Sequence, residues 1–216
     1  MPAFELAIEH QADWIELDVQ ETQDRELVVI HDSNLMRLAG CDRNLWDLTT
    51  SELASLDVGQ WFGEEFKHTR IPSLASVMDL AKHRIQLNLE LKHHGHEQTL
   101  VNQVVDLIHQ KQWRQDCVIS SLDLDFLQQV RRLDPQIKIG SIIPPPRPDY
   151  PDFEVDFYSI HFTLATPDRL EEAHAHGKEI HVWTVNQPAV MRQMIELGVD
   201  NIITDQPSIF DDLMQF

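Results

Sequence analysis

The sequence predicts an α/β fold built on a parallel sheet, and three observations predict it. Strand-like apolar runs recur along the 216 residues, at 13–19, 85–91, 117–121, 137–143, 155–162, 179–185 and 199–204. Helix-period segments separate most of them, at 97–112, 122–133, 167–176 and 187–197, with a last one from 207. The strands are apolar, as strands of a parallel sheet covered by helices must be. Repeats of this kind close into a barrel at eight, so these seven β units fall one short of closure. The length suits a single domain, 1–216, with a substantial core.

Taken in order, residues 2–11 place Phe4, Leu6, Ala7 and Ile8 on a roughly helical stripe, so the chain opens in or near a helix. In the strand 13–19 successive side chains point to opposite faces. Glu16 and Asp18 therefore share one face, and Ile15, Leu17 and Val19 the other. A second extended stretch, 26–30, delivers His31 and Asp32 at its end. Two acids and a histidine so close together suit a hard-cation site beside a proton-transfer group. A solvated edge strand with an incidental histidine would carry the same residues.

Residues 33–70 show no strand pattern and read as an insertion. Thr49-Thr50-Ser51-Glu52 within it is a capping box opening a short helix. Trp61 and Phe62 are expected to anchor the insertion to the barrel, or else to form part of a lid. Ser73 caps a helix running to about residue 83. In 86–92, Asn88, Glu90 and Lys92 alternate strictly with Leu87, Leu89 and Leu91. Leucines suit the layer beneath the outer helices, so the polar set faces the interior. A buried carboxylate and ammonium there must be paired, hydrogen-bonded or bound to something. Either they form a structural ion pair, or Glu90 joins Glu16 and Asp18 as a third oxygen ligand for Mg²⁺ or Ca²⁺ while Lys92 binds an anionic substrate group. The segment 144–154 holds Pro144, Pro145, Pro146, Pro148 and Pro151, and is expected to be extended rather than helical.

Composition narrows the partners. With 36 acidic against 17 basic residues the formal charge is -19, which disfavours nucleic acid and anionic membrane surfaces. A negative substrate would need a bound cation to offset this field. Cys41 and Cys117 form neither a disulfide framework nor a metal-like spacing, which fits a reducing, cytoplasmic compartment. No run approaches the length of a membrane span, and an amphipathic segment rather than a signal peptide follows Met1.

The segments Ile-Glu-Leu-Asp-Val (15–19), Val-Val-Ile-His-Asp (28–32), Ile-Pro-Ser-Leu (71–74), Leu-Glu-Leu-Lys (89–92), Val-Trp-Thr-Val-Asn (182–186) and Gly-Val-Asp-Asn-Ile-Ile-Thr-Asp-Gln-Pro (198–207) span nearly the whole chain. Together, in this order, they resemble the glycerophosphodiester phosphodiesterase family. The resemblance implies a TIM barrel that hydrolyses glycerophosphodiesters to glycerol 3-phosphate and an alcohol with one divalent cation, within glycerol and lipid metabolism. Position by position it implies Glu16, Asp18 and Glu90 as metal ligands, His31 as one of two catalytic histidines and Lys92 as a phosphate contact. It also implies Trp183 as an aromatic at the mouth of the site and 33–70 as the family's insertion.

Departures from the family pattern shape further expectations. The family's His-Arg-Gly and Pro-Glu-Asn-Thr motifs do not occur in this sequence. The chain is therefore expected to start inside the first helix, one strand and one catalytic histidine short. An open barrel edge between the strands at 13 and 199 would favour self-association. A non-catalytic barrel that keeps its metal and phosphate pocket is the alternative function. At Asp24-Arg25 the family usually has Asp-Gly, so a β-carbon is expected to burden a turn needing positive φ. His161 is a candidate substrate contact at a strand end. His181 is expected to be a packed or solvated histidine rather than a substrate contact, His93, His94 and His96 to lie in a solvated loop rather than hold a soft metal, and Ser120 and Ser121 not to be nucleophiles. Thr204-Asp205 is expected to hold the barrel end together.

Overall fold

The structure is a computed structural model that describes residues 1–146, 150–151 and 154–213. Its elements run in the order α1 (Pro2–Glu9), β1 (Trp14–Glu21), β2 (Leu27–Val29), α2 (Met36–Ala39), α3 (Thr50–Leu53), α4 (Leu74–Ala81), β3 (Gln86–Leu91), α5 (Leu100–Lys111), β4 (Cys117–Ser121), α6 (Leu124–Leu133), β5 (Lys138–Ile143), β6 (Phe157–His161), α7 (Pro167–Ala175), β7 (Glu179–Trp183), α8 (Pro188–Leu197), β8 (Asn201–Ile202) and α9 (Ser208–Leu213). The strands form one sheet in the order β2-β1-β3-β4-β5-β6-β7-β8. Seven are parallel neighbours in sequence order, and β2 alone runs antiparallel, against β1. These seven are the β units expected from the sequence. Among the described residues β8 pairs only with β7, and no ladder joins it to β1, so the sheet is an open, curled barrel.

Alternation along the strands decides the layers. Leu87, Leu89 and Leu91 are buried beneath the helices, together with Ile15, Leu17 and Val19 of β1. Each such side chain contributes on the order of 2 kcal/mol relative to exposure. The matching helical stripe of α5 is Leu100, Val101, Val104, Val105 and Ile108. Inside the lower barrel Phe157 stacks on His181 with 4.2 Å between ring centroids, and Gly140 leaves room for it. His181 also bonds the Glu179 carboxylate at 3.2 Å, so of the packed and solvated alternatives it takes the packed one.

The insertion is built from short helical pieces over a small core of its own, with Leu35, Leu45, Leu48 and Leu53 packed on Val28 and Ile30. Its capping box forms in both directions: Glu52 N–H donates to Thr49 Oγ1 at 3.3 Å, and Thr49 N–H donates to Glu52 Oε2 at 2.8 Å. Trp61 and Phe62 correct the anchoring expectation. Phe62 is 71 % exposed and packs edgewise on Trp61 and Phe66, while Trp61 carries the Arg37 guanidinium over its ring. The ring contacts of Trp61 and Phe62 among the described residues all lie within the insertion.

At the β1–β2 turn Arg25 has φ +64°, the left-handed conformation that favours glycine. Its N–H donates to Thr22 O, its guanidinium donates to Gln98 Oε1, and Asp24 caps Thr50. The turn is thus held from three sides despite the β-carbon. β8 spans two residues rather than the six expected, although Asp200 N–H and Ile203 N–H still donate to Ile180 O and Val182 O of β7, and the chain enters the Asn186–Thr204–Asp205 cluster from Thr204. Among the described residues no helix forms between β5 and β6, and Pro148 lies outside the described residues. No helix of the described residues is long and apolar enough to cross a membrane.

Candidate active site

The parallel register of β1 and β3 sets Asp18 opposite Glu90 and Glu16 opposite Asn88, all on the interior face. One oxygen from each of Glu16, Asp18 and Glu90 lies within 4.8 Å of the others. Lys92, just past the end of β3, donates to Asp18 Oδ1 at 2.8 Å and to Glu90 Oε1 at 2.6 Å. Asn88 accepts from the Ser120 hydroxyl at 3.0 Å, and Ser121 donates to Leu91 O, so both serines are spent on the sheet.

Three carboxylates and one ammonium leave this cluster short of positive charge. Burial, then the charges of Asp18 and Glu90, push the Glu16 carboxyl up to about 8. Burial also raises Glu90, against the pull of Lys92. Lys92 itself is raised: burial pulls it down, and the two carboxylates beside it more than offset that. Glu16 Oε1 is buried without a hydrogen-bond partner among the described residues. An orphaned carboxylate oxygen in an all-oxygen donor set fits a hard divalent cation.

His31 stands across from this cluster. The antiparallel β2 carries it to the mouth, where its Nδ1 bonds Asp32 Oδ1 at 3.0 Å. Arg37 grips Asp32 with two donors, at 2.7 and 2.8 Å, and with the hydrogen bond from His31 this holds the Asp32 carboxyl down to about 2. Among the described residues no hydrogen bond is made by the Nε2 of His31. A cavity of 470 Å³ is lined by His31, Asp32, Asn34, Glu90, Lys92 and His94, among others. Trp183 and His161 lie in register at the ends of β7 and β6, with their rings edge to face at 5.3 Å. They share the same end of the barrel but do not line this cavity. His161 Nδ1 bonds the Thr163 hydroxyl, and Trp183 Nε1 is buried without a partner among the described residues.

His93 bonds Asp123, and His96 stacks on Trp46 at 4.3 Å. His94 faces Trp46 at 5.3 Å, and burial lowers its pKa. The solvated-loop expectation holds for His93 and His96, which are exposed, and gives way at half-buried His94. Arg37 is the residue that sequence reasoning missed. It lies five positions beyond Asp32 in a segment without periodicity, and only the fold of α2 turns it back. Asn186 joins Thr204 and Asp205 at the end of β8, the closing role expected there.

The glycerophosphoryl diester phosphodiesterase family model matches residues 1–209. The chain belongs to this family. A glycerophosphodiester phosphodiesterase of Caldanaerobacter subterraneus is 34% identical over 223 residues, covering 99% of this chain and 90% of that protein. One of Bacillus altitudinis is 32% identical over 216 residues, covering 96% of this chain and 88% of that protein. Among solved structures, a glycerophosphodiester phosphodiesterase of Agrobacterium tumefaciens superposes with a TM-score of 0.83 at 26% identity, covering 96% of this chain and 90% of that one. An Oleispira antarctica phosphodiesterase, solved with its product sn-glycerol-3-phosphate, gives 0.90 at 24% identity and shares the fold, covering 99% and 89%. The family fixes the fold as of TIM-barrel type, here an open sheet with seven parallel strands, and the enzyme class as glycerophosphodiester phosphodiesterase.

Proposed function

We propose that this family member hydrolyses glycerophosphodiesters to glycerol 3-phosphate and an alcohol, using a divalent cation, Mg²⁺ or Ca²⁺, held by Glu16, Asp18 and Glu90. One observation carries the reading: three carboxylates converge with Lys92 beside the cavity that His31 lines, and the buried Glu16 Oε1 among them lacks a hydrogen-bond partner among the described residues. A cation there supplies the positive charge that a phosphodiester anion needs in a chain of charge -19.

The chain's own residues do the rest. Lys92 holds a phosphate oxygen and stabilises charge that develops as the oxygen of water bonds to phosphorus and the ester bond breaks. His31 takes up, through Nε2, the proton that the attacking water loses, while the departing alcohol on the opposite side of phosphorus takes its proton from solvent, and Asp32 fixes the ring by Nδ1. Trp183 and His161 border the substrate from the ends of β7 and β6. Residues 1–216 act as one domain in which 33–70 supplies the wall behind Asp32. The protein works in the cytoplasm, without nucleic-acid partners, and two copies can associate along the open edge of the sheet. Sedimentation of purified protein tests that association, and a monomer at all concentrations refutes it.

The activity is tested by measuring glycerol 3-phosphate release from glycerophosphocholine with Mg²⁺, with Ca²⁺ and with chelator. The expected result is cation-dependent turnover lost in Glu90→Gln and His31→Ala. Equal, cation-independent rates in all three proteins would refute it. A chain that binds Mg²⁺ and glycerol 3-phosphate without turnover would instead be a binding barrel.

A further inference from the structure

We propose that Gln20 is a positioning residue for His31, acting through the main chain without touching substrate; this rests on His31 being the proton-transfer group. Gln20 sits near the end of β1, on the interior face that carries Glu16 and Asp18, and is 2 % exposed. Its Nε2 donates to Ile30 O at 2.7 Å and to His31 O at 3.1 Å.

The place of these two bonds in the ladder gives them their meaning. The β1–β2 pairing ends at Val19 opposite Val29, with one more bond from Ile30 N–H to Asp18 O at 3.0 Å. Beyond it the chain leaves the sheet, and the Gln20 amide donates to the next two carbonyls. The His31 ring is 72 % exposed and meets the protein through Asp32, its sequence neighbour. Its placement over the cavity therefore depends on where the backbone at 30 and 31 is held.

The amide orientation is fixed by chemistry. A flipped amide would set an oxygen against two carbonyl oxygens, so Nε2 must face them. Gln20 Oε1 is left buried and unpartnered among the described residues. Leucine would fill similar space without a buried unpaired acceptor, so the amide is explained by the two bonds that it donates.

The test uses the whole chain, loaded with Mg²⁺, as Gln20→Leu and Gln20→Glu, with His31→Ala beside them. Gln20→Leu abolishes donation to the two carbonyls, and Gln20→Glu leaves at most one donor, the O–H of a protonated carboxyl. We expect kcat on glycerophosphocholine to fall about 10- to 100-fold, with KM within about twofold, because misplacing a catalytic group weakens the reaction step and spares binding. The ring resonances of His31 in labelled protein, assigned by their loss in His31→Ala, are expected to shift and broaden. Unchanged kcat and unchanged His31 resonances in a folded variant overturn the proposal. If His31→Ala is as active as the wild type, the proposed function fails, and the His31 resonances still decide whether Gln20 positions the ring. If neither variant folds, the wild type decides: slow solvent exchange of the Gln20 side-chain amide supports the clamp, and exchange as fast as that of exposed Gln110 overturns it.

Discussion

Lowering the pH should weaken divalent-cation binding steeply, and Glu16 sets the scale. Its carboxyl titrates at about 8 because burial and the neighbouring carboxylates disfavour its charge. A cation requires the ionised form, so below pH 8 binding must expel a proton. With a pKa of about 8, half of Glu16 is ionised at pH 8 and about one per cent at pH 6, so apparent affinity for Mg²⁺ should fall roughly 50-fold over that range. Glu90, raised in the same direction, can only steepen the slope. Titration calorimetry of metal-stripped protein, run at pH 7 in two buffers of different ionisation heat, should report close to one proton released per cation. Glu16→Gln should bind more weakly and release fewer protons. An affinity flat between pH 6 and 8, with no buffer-dependent heat, would refute the placement of the cation at Glu16.

The same shifts govern stability of the metal-free protein. Glu16 is raised in the folded state, so stability is lost as pH rises from the ordinary carboxyl range through about 8. Glu179, held at about 2 by its hydrogen bond from His181 and by Lys138, contributes stability that is lost as pH falls below the ordinary carboxyl range. The melting temperature should therefore peak near pH 5; a maximum above pH 8 would contradict the raised Glu16, and stability undiminished between pH 5 and pH 2 would contradict the lowered Glu179. His31→Ala should cost about 10²- to 10⁴-fold in kcat, the usual worth of one proton-transfer group, and a smaller loss in steady-state assays would move the role elsewhere. Arg37→Ala frees the Asp32 carboxylate, whose pKa should rise from about 2 toward the ordinary range, visible by carbon-13 NMR; an unmoved value would mean that Arg37 does not hold it. Gly140→Ala places a methyl 2.1 Å from Phe157 Cε2, and overpacking of this kind should cost about 1–3 kcal/mol in denaturant unfolding.

By itself the sequence determined the features that depend on period and local chemistry. Alternation at 86–92 put Asn88, Glu90 and Lys92 on one face whatever their partners, because a strand leaves no other arrangement. Glu16 and Asp18 came to share a face for the same reason. The capping box at Thr49 and the Ser73 cap are also local, since each closes a hydrogen bond within three residues. The family resemblance joined these pieces into one barrel and named the pocket's chemistry before any coordinate.

The tertiary structure decided distances between residues far apart in sequence. Register between β1 and β3 set Asp18 against Glu90, and from that came the Lys92 bridge, the orphaned Glu16 oxygen and the raised Glu16 carboxyl. It brought Arg37 back onto Asp32, and it separated the His161–Trp183 pair from the cavity of His31. It left Trp61 and Phe62 exposed where packing onto the barrel was expected. Each of these depends on how segments cross in space, and a carboxylate's burial, unlike its face, has no periodicity by which a sequence could announce it.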